Sequence, residues 1–218
     1  MSQTHPDYIV VEGPIGVGKT SLARRLAETY GTELLLEGAD ENPFLERFYQ
    51  DAKSYALPTQ LFFLFQRAKQ VQALRQGDMF RPVRVADFLM EKDRLFAQMT
   101  LAEDELSLYD QAFNTLAIDA PVPDLVIYLQ APVDVLLERI RKRNRLYEQF
   151  IDAAYLQRLV DSYTHFFYQY SAAPLLIVNA AEINLVDSEQ DYEGLLEQIA
   201  LTKAGRHFFN PLPFELSR

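Results

Sequence analysis

The chain has no cysteine and only three histidines in 218 residues. Without cysteine there is no disulfide framework, no thiolate metal centre and no cysteine nucleophile. His5, His165 and His207 are scattered and form no ligand-spaced pair, so a zinc site is not expected. Positive charge is also scarce: 21 Lys and Arg stand against 31 Asp and Glu, a net charge of −10. A general nucleic-acid binder carries a basic footprint, and this balance speaks against that class. No apolar run approaches the roughly 20 residues that span a membrane. Met1–Asp7 lacks the basic and apolar regions of a signal peptide. The expectation is a cytoplasmic protein with neither a membrane nor a nucleic-acid partner. The 49% hydrophobic content and the length suit one α/β domain over residues 1–218 with a substantial core.

Glycine is sparse too, yet three glycines fall within Gly13-Pro14-Ile15-Gly16-Val17-Gly18-Lys19-Thr20. This stretch fits G-x-x-x-x-G-K-[ST] at every fixed position. It sits between the apolar run Tyr8–Val11, which reads as a buried strand, and Ser21–Ala27, which reads as the first turns of an amphipathic helix. Such glycines let consecutive backbone N–H groups curl around an anion, and the helix start adds unpaired donors and partial positive charge. Lys19 then reaches the β/γ-phosphates and the Thr20 hydroxyl ligates Mg²⁺. A nucleoside triphosphate is the expected ligand. The absence of an Asn-Lys-x-Asp run tilts the choice from GTP toward ATP.

Further strands are expected at Thr32–Leu36, Pro82–Ala86, Asp124–Leu129 and Leu175–Val178, with helices between them. Gly31 reads as a helix C-cap, and Asn42-Pro43 as the start of a helix through Phe48 and Tyr49. A second helix is expected from near Pro58 to about Arg75, broken by Gly77-Asp78, with others over 91–99, 103–117, 154–170 and 191–203. Short apolar strands alternating with helices describe a five-stranded parallel sheet with helices on both faces. Ligands in such sheets lie at the carboxyl ends of the strands, where Gly13, Glu37, Asp87 and Gln130 all fall.

A phosphotransferase acting on a small alcohol needs a carboxylate for the acceptor, an acid near Mg²⁺ and cations over the transferring group. Glu37 is the candidate base, against the plainer reading of a solvated loop carboxylate beside Asp40 and Glu41. Asp87 is the candidate Mg²⁺ acid, against an N-cap for the next helix. Arg139, Arg141, Lys142, Arg143 and Arg145 crowd five cations into one short segment of an acidic chain. A helix dipole explains one or two of them. The rest suggest an arginine-rich lid, about residues 142–152, closing over phosphates.

These residues, in this order and spacing, resemble the deoxynucleoside kinase family over nearly the whole chain. The resemblance rests on Glu12–Thr20, Glu37, Phe48-Tyr49, Gln60 with Arg67, Asp93-Arg94-Leu95-Phe96-Ala97, Arg139-Ile140 and Arg143–Gln149. It implies a P-loop kinase fold and ATP- and Mg²⁺-dependent phosphorylation of a deoxynucleoside 5′-hydroxyl in salvage. Glu37 corresponds to the base, Tyr49 and Glu148 to the pair that bonds the sugar 3′-hydroxyl, Gln60 and Arg67 to readers of the base edge. Phe96 corresponds to an aromatic against the base, and Arg139, Arg143 and Arg145 to arginines that contact ATP. Tyr49 and Phe96 as core residues, and Gln60 as a surface amide, are the simpler alternatives. A homodimer is implied as well, with the Leu61–Phe65 region of the helix available for packing.

One departure stands out. After the third strand the family commonly carries an acid–Arg–Ser run, and this chain has Ala86-Asp87-Phe88. Without a gap Asp87 takes the arginine's place; with a one-residue shift it takes the acid's, which is preferred because an Mg²⁺ site without an acid is harder to rationalise. Either way that arginine is missing, and Lys92 is its nearest substitute, although lysine lacks the planar fork. Lys92 also falls where relatives often carry an acid near the base. A purine deoxynucleoside is the expected substrate, and Arg67 suits guanine O6 and N7. The alternatives are a nucleoside monophosphate kinase of the thymidylate type, which needs more cations for the acceptor phosphate, and a non-catalytic structural relative, which predicts an eroded P-loop.

Overall fold

In the computed structural model of the protein, residues 6–76, 84–116 and 120–210 are described. The first strand β1 (Tyr8–Glu12) leads through the glycine-rich turn into α1 (Lys19–Tyr30), which Gly31 caps in the left-handed conformation, as expected. Strand β2 (Glu33–Leu35), a 3₁₀ turn (Ala39–Glu41) and helices α2 (Leu45–Gln50) and α3 (Ala52–Gln76) follow. Then come β3 (Arg84–Ala86), α4 (Lys92–Thr100), α5 (Glu103–Leu116), β4 (Leu125–Gln130) and α6 (Val133–Arg143). A second 3₁₀ turn (Leu146–Phe150), α7 (Ala153–Gln169), β5 (Leu175–Asn179), α8 (Glu189–Leu201) and β6 (Arg206–Phe209) complete the order.

All strands run parallel, in the order β2-β3-β1-β4-β5-β6. The sheet has six strands where five were expected, because Arg206–Phe209 pairs with Leu175–Val178 along the outer edge of β5. Its alternation of exposed and half-buried residues is what an edge strand covered on one face shows. The Arg206 guanidinium donates to the Phe167 and Tyr168 carbonyls, tying this strand to the end of α7. By contrast β1 and β4 are buried almost throughout, because helices cover both faces. Their apolar side chains join α1, α6, α7 and α8 in one core.

Two helix starts differ from expectation. Helix α3 begins at Ala52, with Pro58 accommodated inside it. Asn42 does not cap α2, which starts two residues beyond Pro43. Its amide accepts from Phe44 N at 3.0 Å and donates to the Thr59 carbonyl at 3.2 Å, anchoring the approach to α2 on α3. Of the Leu61–Phe65 stretch, Leu64 is buried against α5, Phe63 lines the main cavity and Phe65 is exposed. The expected break at Gly77-Asp78, the start of the third strand at Pro82-Val83 and the last residue of the 103–117 helix lie outside the described residues. Among the described residues no helix is long and apolar enough to cross a membrane.

The strand order reverses at β1, whose neighbours are β3 and β4. In an open parallel sheet the crevice at such a reversal, beyond the carboxyl ends, is where ligands bind. The glycine-rich turn lies there.

Candidate active site

The turn after β1 is wedged against β4 and α6. A Cβ at Gly13 would stand 2.5 Å from the Leu129 carbonyl, and one at Gly16 (φ +83°) 2.9 Å from the Leu136 carbonyl and 2.8 Å from Ile140. Glycine is required at both, by close approach and by the left-handed backbone. The Lys19 ammonium folds back over the turn, donating to the Gly13 carbonyl at 2.7 Å and to Pro14 at 3.3 Å. Burial and the nearby Lys92 charge lower its pKa, against the pull of Glu12, Glu37 and Asp87. Arg139 donates to the Val17 carbonyl at 3.2 Å and to Ala180 at 2.7 Å, clipping the turn to the loop after β5.

Asp87, just past β3, serves the site and not the next helix. Its carboxylate accepts the Thr20 hydroxyl at 2.5 Å and the Glu37 backbone N–H at 2.8 Å, whereas α4 begins after Glu91. Burial and the charge of Glu37 raise its pKa against those hydrogen bonds and Lys19. In the register that gives Asp87 the acid's place, that acid contacts Thr20. Phe88, where the arginine then falls, is buried in the core.

Glu37 is no solvated loop residue. Its carboxylate is held by Arg67 and by Lys92, the latter at 3.2 Å. Burial alone would raise its pKa, but the charges of Lys92, Arg67 and Lys19 prevail and hold it at about 2. Arg67, expected at the base edge, forks between Glu37 and Asp93, and all three line or adjoin the same cavity. Gln60 is buried and faces that cavity with Tyr49 and Phe96. Tyr49 stacks on Tyr147, ring centroids 6.4 Å apart.

In the arginine-rich segment, Arg141 and Lys142 are exposed in the last turn of α6, where the helix dipole favours them. Arg143 and Arg145 turn inward. Arg143 grips the buried Glu148 through Nε at 3.0 Å and NH2 at 2.5 Å. Arg145 donates to the Tyr147 hydroxyl at 2.6 Å and lies 3.2 Å from Asp40. Asn144, at φ 53°, makes the bend that aims this turn at the cavity.

Sequence reasoning assigned no role to Glu12 or Asp93, both buried here. Glu12 accepts from Gly13 N (2.8 Å), Leu89 N (3.0 Å) and the Tyr163 hydroxyl (3.0 Å), and pairs with Lys92 at 3.0 Å. A lone carboxylate closing the apolar run of β1 was the available signal.

The cavity enclosed by these groups measures about 230 Å³. That is somewhat below the usual range of ligand pockets, roughly 300–1,000 Å³, and suits a small acceptor better than a peptide or dinucleotide. A P-loop lysine, a hydroxyl–carboxylate pair beside it and a second carboxylate across a small cavity define a class: the P-loop enzymes that pass a phosphoryl group to a small molecule.

Comparison with known proteins narrows the class. The sequence model described as "Deoxynucleoside kinase" matches residues 9–203. A deoxyguanosine kinase of Bacillus subtilis is 33% identical over 201 residues, covering 88% of this chain and 95% of its own. A deoxyadenosine kinase of Lactobacillus acidophilus is 32% identical over 206 residues, covering 88% and 94%. The solved deoxyadenosine kinase of M. mycoides with bound dATP superposes with a TM-score of 0.76 at 25% identity, over 88% of this chain and 98% of that one. This chain belongs to the deoxynucleoside kinase family. Strand β6 lies beyond the segment the family model matches.

Proposed function

We propose that this protein transfers the γ-phosphoryl group of ATP to the 5′-hydroxyl of a purine deoxynucleoside. The observation that carries the reading is the junction of three strand ends: Asp87 holds both the Thr20 hydroxyl and the backbone of Glu37, so the phosphate side and the acceptor side share one carboxylate. Glu37 is the base that receives the hydroxyl proton. Tyr49 and Glu148 take the sugar 3′-hydroxyl, Gln60 and the Arg67–Asp93 pair read the base, and Phe96 packs against it. Lys19 and the backbone of the turn hold the phosphates, with Arg143 and Arg145 over the transferring group. The adenosine end of ATP lies on the outer side of the turn, in the cleft between Gly16, Arg139 and the loop 180–187.

Magnesium fits the donors present. Thr20 and Asp87 offer two adjacent hard oxygens, and among the described residues no cluster of three or more His, Cys, Asp or Glu could form an all-protein cage. Mg²⁺ is commonly held in this way, by one or two protein oxygens with phosphates and water completing its shell. When bound it neutralises charge on the β- and γ-phosphates.

The purine assignment draws on relatives named deoxyguanosine and deoxyadenosine kinases. It also draws on a guanidinium and an amide that line the cavity, Arg67 and Gln60, which match the acceptor and donor pattern of a purine edge. The intact P-loop argues against a purely structural role. Coupled ADP release with a panel of deoxynucleosides and monophosphates tests the reading. Turnover is expected with deoxyguanosine or deoxyadenosine; turnover with monophosphates alone, or with nothing, overturns it.

A further inference from the structure

Glu37 has two cationic partners, and they are anchored differently. Arg67 lies 2% exposed on α3 and its second nitrogen is committed to Asp93, which is 1% exposed. Lys92, the first residue of α4, shares its ammonium between Glu37 and Glu12. Glu12 has three other donors, Gly13 N, Leu89 N and the Tyr163 hydroxyl, so its charge is met without Lys92 alone having to do it. The ammonium is thus a cation kept at the centre by a carboxylate that does not depend on it. The positions directly after Asp87 supply no cation: Phe88 and Leu89 are in the core.

We infer that Lys92 is a catalytic residue, an ammonium held at the reacting centre by Glu12 that exchanges Glu37 for the transferring phosphoryl group. The inference rests on Glu37 being the base. In the step, the acceptor oxygen forms a bond to the γ-phosphorus while the bond from that phosphorus to the β–γ bridging oxygen breaks, its electron pair leaving with ADP. The hydroxyl proton passes to Glu37. Glu37 then carries no charge for Lys92 to pair with, and a phosphoryl group of about two negative charges has arrived on the oxygen beside it. The ammonium's other partner, Glu12, stays in place, so Lys92 needs only a rotamer adjustment to follow the charge. A flexible stem with three donors suits such an exchange better than a rigid fork. Lys19 approaches from the P-loop side and lines the same cavity as Lys92. Together they flank the path of the phosphoryl group.

The test compares wild type with Lys92→Met, Lys92→Gln and Lys92→Arg, measuring kcat, both KM values and the calorimetric Kd for deoxyguanosine and for its 5′-monophosphate. The glutamine variant keeps a donor for Glu12 and serves if the methionine variant does not fold. Removing a cation from a developing oxyanion costs roughly 10²–10³ in kcat. A charge-assisted hydrogen bond to the product is worth about 10–100-fold in Kd. The neutral variants are therefore expected to lose kcat and monophosphate affinity by these factors while deoxyguanosine and ATP affinities hold within about threefold, and arginine is expected to restore part of both. Unchanged kcat, or equal loss of nucleoside and monophosphate affinity, overturns the assignment and leaves Lys92 a support for Glu37. A wild-type enzyme that phosphorylates no deoxynucleoside overturns the functional reading itself, and this inference with it.

Discussion

Replacing Glu37 with glutamine removes one charge and keeps the shape of the side chain. Lys92 retains Glu12 and Arg67 retains Asp93, so each cation keeps a carboxylate and the fold is expected to survive. What disappears, on the proposed assignment of Glu37 as base, is the acceptor for the hydroxyl proton. General-base assistance is worth about 10²–10⁴ in rate, or roughly 3–5 kcal/mol. Two features place the expected loss in the lower half of that range. A carboxylate held at about 2 is a weak base, and a loose phosphoryl-transfer transition state draws late on proton removal. Coupled ADP release should show kcat down by about 10²–10³, with calorimetric ATP affinity within about threefold of wild type because Glu37 lies on the acceptor side. The same variant tests the charge cage. The folded-state pKa of Glu37 is depressed from 4.5 to about 2, so its contribution to stability is present above the unfolded value and fades as pH falls through 2. At neutral pH that contribution is at most about 3 kcal/mol. Urea unfolding should therefore show any stability advantage of wild type over Glu37→Gln shrinking between about pH 5 and pH 2. An unchanged kcat refutes the base assignment; a pH-independent difference refutes the cage.

Two further outcomes are expected. Gly16→Ala forces a Cβ to within 2.8 Å of Ile140 at a backbone φ of +83°; strain of about 1–3 kcal/mol should lower Tm by a few degrees and weaken ATP binding, and calorimetry showing neither would contradict the close packing of the turn. Tyr49→Phe removes a hydroxyl beside Glu148 while keeping the stack on Tyr147. The preference in kcat/KM for a deoxynucleoside over its 3′-deoxy analogue should fall by roughly tenfold, and an unaltered ratio rules out contact with the sugar.

The sheet was legible because β1, β4 and β5 are runs of apolar residues bounded by turn formers, and the glycine-rich motif fixed where strand becomes helix. Strand β6 was not, because four residues with two exposed gain their pairing only from β5, thirty-one residues upstream in the register. Pro58 misled because proline is a common first-turn residue, whereas here α2 and Asn42 brace the chain ahead of it. Among site residues, Glu37, Asp87 and the lid arginines followed from position at strand ends and from clustering. Lys92 stood out only as the nearest substitute for the missing arginine, and Glu12 and Asp93 carried no role. A charged residue in a strand or on a helix reads as solvent-facing until its partners are known. The partners of Lys92 come from the ends of β1 and β2, and that of Asp93 from α3.

The grip of Arg143 on Glu148 has an effect on how the two substrates meet. Each guanidinium of the lid is already engaged by an acid of the same chain, Arg143 by Glu148 and Arg145 by Asp40. A polyphosphate that draws Arg143 toward itself leaves a nearly inaccessible carboxylate in want of a donor, and a sugar hydroxyl is a donor of the right size. Under the proposed roles of Arg143 and Glu148, nucleotide arrival and nucleoside capture become two halves of one swap of partners. On that reading linkage makes the swap reciprocal, and whichever molecule enters first is expected to tighten the hold on the other.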